Sequence, residues 1–173
     1  IASSLTVAND LLPLGYDVTI FEKNAQPGGL MRINIPSFRL PPQVLDDECG
    51  YIIDMGANMR YGTTVSSLQA LLAEGYDAVY VGSGAPKGKE LDLPGRWDAQ
   101  DQIHIGIDWL ANVHFEHLTE IGKRVLIIGV GNTAMDCARS ALRLGASKVT
   151  VAYRRTRAEM PAIGEEIGEA AHE

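Results

Sequence analysis

The stretch Lys123-Arg-Val-Leu-Ile-Ile-Gly-Val-Gly-Asn-Thr-Ala-Met-Asp-Cys-Ala138 decides the fold. Val125 to Ile128 form a short, wholly apolar run, which predicts a parallel strand buried on both faces. Gly129, Gly131 and Ala134 then stand as G-x-G-x-x-A. Ala134, Ala138, Ala141 and Leu142 recur at helical spacing, and Gly145 supplies the stop. The reading is strand, glycine turn, helix, and the fold class is α/β.

Each small residue of that turn has a physical task. Gly129 permits the tight turn, Gly131 lets a pyrophosphate approach the backbone, and Ala134 lets the helix pack closely on the strand. The helix start offers unpaired N–H groups and a positive dipole end to phosphate. Val149 to Tyr153 form a second strand. At its C-terminal end a NAD site places an acid for the ribose 2′-hydroxyl. Here that place holds Arg154 and Arg155, with Arg157 close behind, which favours a 2′-phosphate and so NADP. The plain alternative is an ordinary β-α-β unit with a solvated basic loop. The flanking strand, helix and second strand, with charge at the right end, favour the nucleotide.

At 173 residues the chain is long enough for one or two small domains. Its hydrophobic fraction of 46% suits a globular protein, and a net charge of −7 argues against a nucleic-acid surface. The two cysteines, Cys49 and Cys137, fall on apolar faces of predicted helices and read as buried thiols. No C-x-x-C and no run of membrane-spanning length occurs, so no metal site and no membrane contact is expected. A reducing, cytoplasmic setting follows as the expectation. The chain opens on Ile1 without a strand, and its last residues, 164–173, read as a small polar tail. The expectation is a fragment.

From the start, residues 5–14 predict a helix stopped by Gly15, and residues 17–22 a strand ending in Glu22. Glu22 stands where Arg154 stands in the later unit. A carboxylate there either accepts the hydroxyls of an adenosine ribose or is simply a surface acid. Residues 24–41 read as loop, with the Gly28-Gly29 pair able to lie against a ligand and Arg39 a lone basic residue. Pro42 opens a helix closed by Gly56; a short strand, a helix and Gly75 follow. Asp77 to Gly84 predict another buried strand, ending in a Gly-x-Gly turn that no helix follows. Residues 85–102 read as a linker, and a short helix begins at Ile107.

Six segments together resemble the small-subunit (β-chain) family of NADPH-dependent glutamate synthase. They are Phe21-Glu-Lys, Pro27-Gly-Gly-Leu, Ile35-Pro-Ser-Phe-Arg-Leu-Pro, residues 75–85, Gly129-Val-Gly-Asn-Thr-Ala-Met-Asp136 and Tyr153-Arg-Arg-Thr-Arg-Ala-Glu-Met-Pro161. The chain is similar also to the flavin-binding portion of dihydropyrimidine dehydrogenase. The resemblance implies a flavoprotein with two Rossmann-like dinucleotide-binding domains, here a partial FAD-binding domain over 1–96 and a partial NADP-binding domain over 97–173. It places the family's first FAD strand and glycine turn before Leu5, and its return segment beyond the NADP domain. On that view this stretch binds FAD weakly or not at all by itself.

Carried over, Glu22 and Lys23 would meet the FAD ribose region, and Gly28, Gly29 and Leu30 would line the flavin. Arg39 would contact FAD, and Val65 would lie against it through its backbone. Gly129, Val130, Gly131, Asn132 and Thr133 would hold the NADPH pyrophosphate, and Arg154, Arg155 and Arg157 the 2′-phosphate. The resemblance also implies that hydride would pass from NADPH to FAD, and electrons on to iron–sulfur clusters of a partner. That chemistry needs position rather than an acid or base, so no catalytic side chain is named. The four histidines read as solvated. Two alternatives stand beside this enzyme: a non-catalytic nucleotide-binding or docking fragment, and an electron-input subunit of a dihydropyrimidine dehydrogenase-like or formate dehydrogenase complex. Unpaired sheet edges also leave a homo-oligomer open.

Overall fold

A computed structural model describes residues 2–173. The chain divides into two compact units, residues 1–32 with 37–85, and residues 33–36 with 86–173.

In the first unit, helix α1 (Ala2–Leu11) passes into a 3-10 turn, Leu12–Leu14. Pro13 has no N–H to continue the α-helix, and Gly15 closes the turn at φ +86° with its N–H on the Leu12 carbonyl. Strand β1 (Thr19–Phe21) follows. A short helix, α2 (Leu30–Asn34), replaces part of the expected loop. Gly28 and Gly29, both at positive φ, reverse the chain so that their carbonyls accept the N–H groups of Met31 and Arg32. Helix α3 (Pro42–Asp54) has proline at its start and Gly56 at φ +114° beyond its end. Strand β2 (Asn58–Arg60) pairs parallel with β1, Ile20 opposite Met59. Helix α4 (Leu68–Ala73) is capped by Ser67, whose Oγ accepts the Ala70 N–H at 3.1 Å. Leu5, Ala8, Ile20, Leu45 and Cys49 form the core between α1, β1 and α3. Each large apolar side chain buried there contributes roughly 2 kcal/mol.

Residues 77–84 take no place in either sheet, contrary to the sequence reading, and Tyr80 and Val81 are more than half exposed. A buried parallel strand needs neighbours to accept its backbone and cover its faces. In this unit the ladder among the described residues is β1 with β2 alone.

In the second unit, helix α5 (Gly106–His114) precedes strand β3 (Arg124–Ile128), helix α6 (Asn132–Arg143) and strand β4 (Lys148–Ala152). β3 and β4 pair in parallel, from Arg124 opposite Lys148 to Ile128 opposite Ala152. Helix α6 covers one face of this ladder and takes α5 and α7 (Gly164–His172) against its own sides. The expectation of a strand buried on both faces is not met, because no residue of β3 is fully buried. Val125 and Ile127, on the side of α6, are half-buried, whereas Leu126 is 62% and Ile128 58% exposed. No second layer lies over that face among the described residues.

The expected polar tail is helix α7. Its carboxylates are periodic, and they converge on one buried guanidinium. Arg139 of α6 pairs with Glu166, Glu169 and Glu173, and Arg143 pairs with Glu173. Ile167 and Ala170 pack on the cluster of Val130, Met135 and Ala162. Arg143 and Arg139 hold the Glu173 carboxyl below its ordinary range, against a smaller opposing effect of burial. A charge-and-core seam of this kind is invisible to a local reading, because its partner lies one helix away.

Both cysteines are buried and free, as expected. Burial, with the Asp136 charge adding to it, pushes the Cys137 thiol from 9.0 up to about 12. The thiol is therefore un-ionised and shielded at neutral pH, and Cys137 should resist a thiolate-directed label at about pH 8 until denaturant is added. Mass spectrometry of the labelled peptide would show this, and rapid native labelling would contradict it. The folded value lies above the ordinary one, so this thiol's contribution to stability is complete below pH 9.0 and is lost as pH rises toward about 12.

Candidate functional site

The glycine turn joins β3 to α6. Gly129 sits at φ +115°, a conformation that side chains rarely adopt, and its N–H donates to the Ala152 carbonyl at 3.0 Å. Gly131 differs. It caps α6 at φ −79° and ψ 172°, ordinary extended backbone, and a Cβ built there would meet nothing within 4 Å. The chain itself therefore does not require glycine at 131. The space above it is open, and Asn132 and Thr133, first residues of the helix, carry N–H groups with no intrahelical acceptor. That is the donor set and clearance a pyrophosphate needs.

Val130 is 2% exposed, and its carbonyl accepts the Ala162 N–H at 3.2 Å. The Asn132 side chain is already engaged: its Oδ1 accepts the Ile163 N–H at 2.9 Å. Its amide oxygen is thus occupied, while its backbone N–H has no intrahelical acceptor. Thr133 is exposed.

Arg154, Arg155 and Arg157 stand on the loop after β4, all exposed. Their guanidiniums have no hydrogen bond or ion pair among the described residues. The loop itself is tightly built. Thr156 and Glu159 form a capping box around the 3-10 turn Arg157–Glu159. The spelling Thr156-x-x-Glu159 announces that box in the sequence, and reading for arginines alone missed it. In parallel β-α-β units the C-terminal strand ends and the helix start share one edge, so the glycine turn and the arginine loop lie on the same side of the sheet.

In the first unit Glu22 follows β1 and is 6% exposed. Its Oε1 accepts the Asn24 N–H at 2.8 Å, and its backbone extends the β1–β2 ladder through Arg60 and Thr63. A carboxylate has about four acceptor sites, so the bond to Asn24 anchors it without exhausting it. Lys23 is exposed beside it. Gly28 is buried, and a Cβ at 28 would come within 2.7 Å of Leu45 Cδ2 and 3.1 Å of Arg32 Cβ. Packing inside the chain thus accounts for that glycine. Gly29 and Leu30 lead into α2 half-buried, and Val65 is 38% exposed. Arg39 is half-buried between Phe38 and Leu40. Arg32, not singled out in the sequence, donates to the Pro27 carbonyl and pairs with Asp46, bracing the glycine pair. Gly28→Ala should cost about 1–3 kcal/mol, through the positive φ and the contact with Leu45, and lower the melting temperature by several degrees. An unchanged melting temperature would show that Leu45 and Arg32 yield without cost.

All four histidines are exposed. Among the described residues no group of side chains could hold a metal ion, and no helix is long and apolar enough to cross a membrane.

The pyridine nucleotide-disulphide oxidoreductase family model matches residues 44–173. The chain belongs to this family. As its name says, the family consists of oxidoreductases that use pyridine nucleotides. It is 38% identical over 173 residues to the NADP(+)-dependent formate dehydrogenase subunit beta of Moorella thermoacetica, covering 97% of this chain and 24% of that protein. It is 39% identical over 169 residues to the NAD-dependent dihydropyrimidine dehydrogenase subunit PreT of Salmonella typhimurium, covering 95% and 40%. To the glutamate synthase (NADPH) small chain of Halomonas elongata it is 34% identical over 184 residues, covering 99% and 38%. The chain thus spans between 24% and 40% of the length of these relatives. Mycobacterium tuberculosis FprA, solved in complex with NADPH, superposes with a TM-score of 0.77 at 23% identity, over 99% of this chain and 44% of that one. That likeness supports the Rossmann-like α/β fold.

Proposed function

We propose that the chain is the nucleotide-handling part of an NADPH-dependent flavoprotein oxidoreductase, with the first unit contributing to the FAD site and the second to the NADP site. One observation carries the reading: three exposed guanidiniums, unpaired among the described residues, follow β4 on the sheet edge that also carries a glycine turn with open space above Gly131. Backbone N–H groups of Gly131, Asn132 and Thr133 hold the pyrophosphate, and Arg154, Arg155 and Arg157 hold the 2′-phosphate. In the first unit the anchored Glu22 carboxylate accepts ribose hydroxyls of FAD, and Lys23, Gly29, Leu30, Arg39 and Val65 contribute further contacts to that cofactor. Gly28 acts by shaping the turn. FAD, when bound, accepts hydride from NADPH and passes electrons to iron–sulfur clusters of a partner subunit. The protein's own part is to position and to charge-match; no side chain is assigned proton transfer.

Two of the named relatives are called subunits and the third a small chain, which supports a partner protein as electron acceptor. The identities of 38%, 39% and 34% do not favour a glutamate-synthase acceptor over a formate dehydrogenase or dihydropyrimidine dehydrogenase one. Work on cytoplasmic NADPH fits the two un-ionised, unpaired thiols.

An absorption spectrum during titration tests the proposal. In the longer protein that carries this chain, a flavin band that bleaches with NADPH and not with NADH is the expected result. A colourless chain that binds NADPH would leave a nucleotide-binding or docking module without turnover. Failure to bind either nucleotide would overturn both readings.

A further inference from the structure

The arginine loop holds three like charges within four residues, and it also holds a carboxylate, Glu159, that would be expected to pair with one of them. It does not. Glu159 Oε2 instead accepts the Thr156 N–H at 3.1 Å and the Thr156 hydroxyl at 2.9 Å. The Glu159 N–H donates back to the Thr156 carbonyl at 3.1 Å, and the Tyr153 hydroxyl donates to the Glu159 carbonyl at 2.9 Å. These bonds tie residue 153 to residue 159 across the base of the loop that carries the arginines. From Glu159 the chain runs on to the glycine turn, where Ala162 and Ile163 bond to Val130 and Asn132.

Two consequences follow from elementary chemistry. A carboxylate oxygen that already accepts a neighbouring hydroxyl and N–H competes less for the guanidiniums, which stay available to a dianion. A loop fixed before the ligand arrives loses less conformational entropy on binding. Resting on the NADP reading above, we propose that Thr156 and Glu159 are positioning residues that set the preference for a 2′-phosphorylated nucleotide, by holding the Arg154–Arg157 loop in shape and keeping its one carboxylate out of the phosphate's place.

The test compares adenosine 2′,5′-bisphosphate with 5′-AMP, which differ only in the 2′-phosphate, by calorimetry on the whole chain. The original chain should favour the bisphosphate. Thr156→Ala and Glu159→Ala should each lose about fivefold of that preference, the scale of losing one capping interaction, with 5′-AMP binding unchanged. Glu159→Gln should keep the preference, because a glutamine carbonyl accepts the same bonds. If both alanine variants keep the full preference, or weaken both ligands equally, the positioning role is wrong while the NADP reading stands. If the original chain does not distinguish the two ligands, the NADP reading itself falls and the positioning role falls with it.

Discussion

Replacing Arg154 and Arg155 together by alanine should weaken NADPH binding roughly a hundredfold and leave NADH binding nearly unchanged. The two nucleotides differ only in the 2′-phosphate, so groups that see this phosphate alone cannot affect NADH. Both arginines are exposed, and among the described residues neither is tied to a carboxylate. Their removal therefore breaks no internal bond, and the melting temperature should hold. Exposure weakens each contact relative to a buried one, which is why the expected loss is about a hundredfold rather than several powers of ten larger. Arg157 remains in the double variant and keeps part of the attraction. Equilibrium titration of both nucleotides, at two salt concentrations, reads the result directly. An equal loss for NADPH and NADH would move the arginines from the 2′-phosphate to the pyrophosphate or to the fold.

The second large effect concerns two glycines that look alike in sequence and differ in structure. Gly131→Ala should leave stability within about 1 kcal/mol, since its backbone is ordinary and its Cβ would touch nothing. It should nevertheless weaken NADPH and NADH together, by roughly ten- to a hundredfold, because the added methyl stands where the pyrophosphate must approach. Gly129→Ala should do the reverse in kind: at φ +115° the strain falls on the folded chain, and the melting temperature drops with or without nucleotide. Thermal melts of the two variants, with and without NADPH, separate a ligand glycine from a fold glycine. A Gly131→Ala protein that binds normally would remove the phosphate from that turn.

The contrast also shows what a sequence can disclose. The order strand, turn, helix, strand over 124–152 was legible because each piece carries its own local signal: an apolar run, glycines at fixed offsets, helical periodicity and a glycine stop. The helix at Pro42 and the strand before Glu22 were legible for the same reason. Residues 77–84 carry an equally good strand signal, yet the structure leaves them outside both sheets. A strand is completed by a neighbour, and the sequence of one segment does not contain its neighbour. Helix α7 was lost in the opposite way. Its small and acidic residues look unremarkable until Arg139, on another helix, gathers their charges. The engagement of Asn132 with Ile163 lies 31 residues apart and left no trace in spacing. At the site, the Thr156–Glu159 box was spelled out in the sequence, but the arginines around it drew the reading to charge alone. Gly28 had a visible glycine signal and an invisible reason, since the atom that forbids a side chain there belongs to Leu45.

The bare side of the β3–β4 ladder has a consequence for how the chain behaves in a tube. Leu126 and Ile128 present aliphatic surface to water on a flat, strand-paired support. Such surface adds an attraction between molecules that grows with their number density and that a net charge of −7 opposes. Raising ionic strength screens the repulsion and leaves the attraction, so added salt shifts the balance toward clustering. Dilute, low-salt buffer is then the condition in which single chains persist, and the osmotic pressure of concentrated samples falls below the ideal value as salt is added.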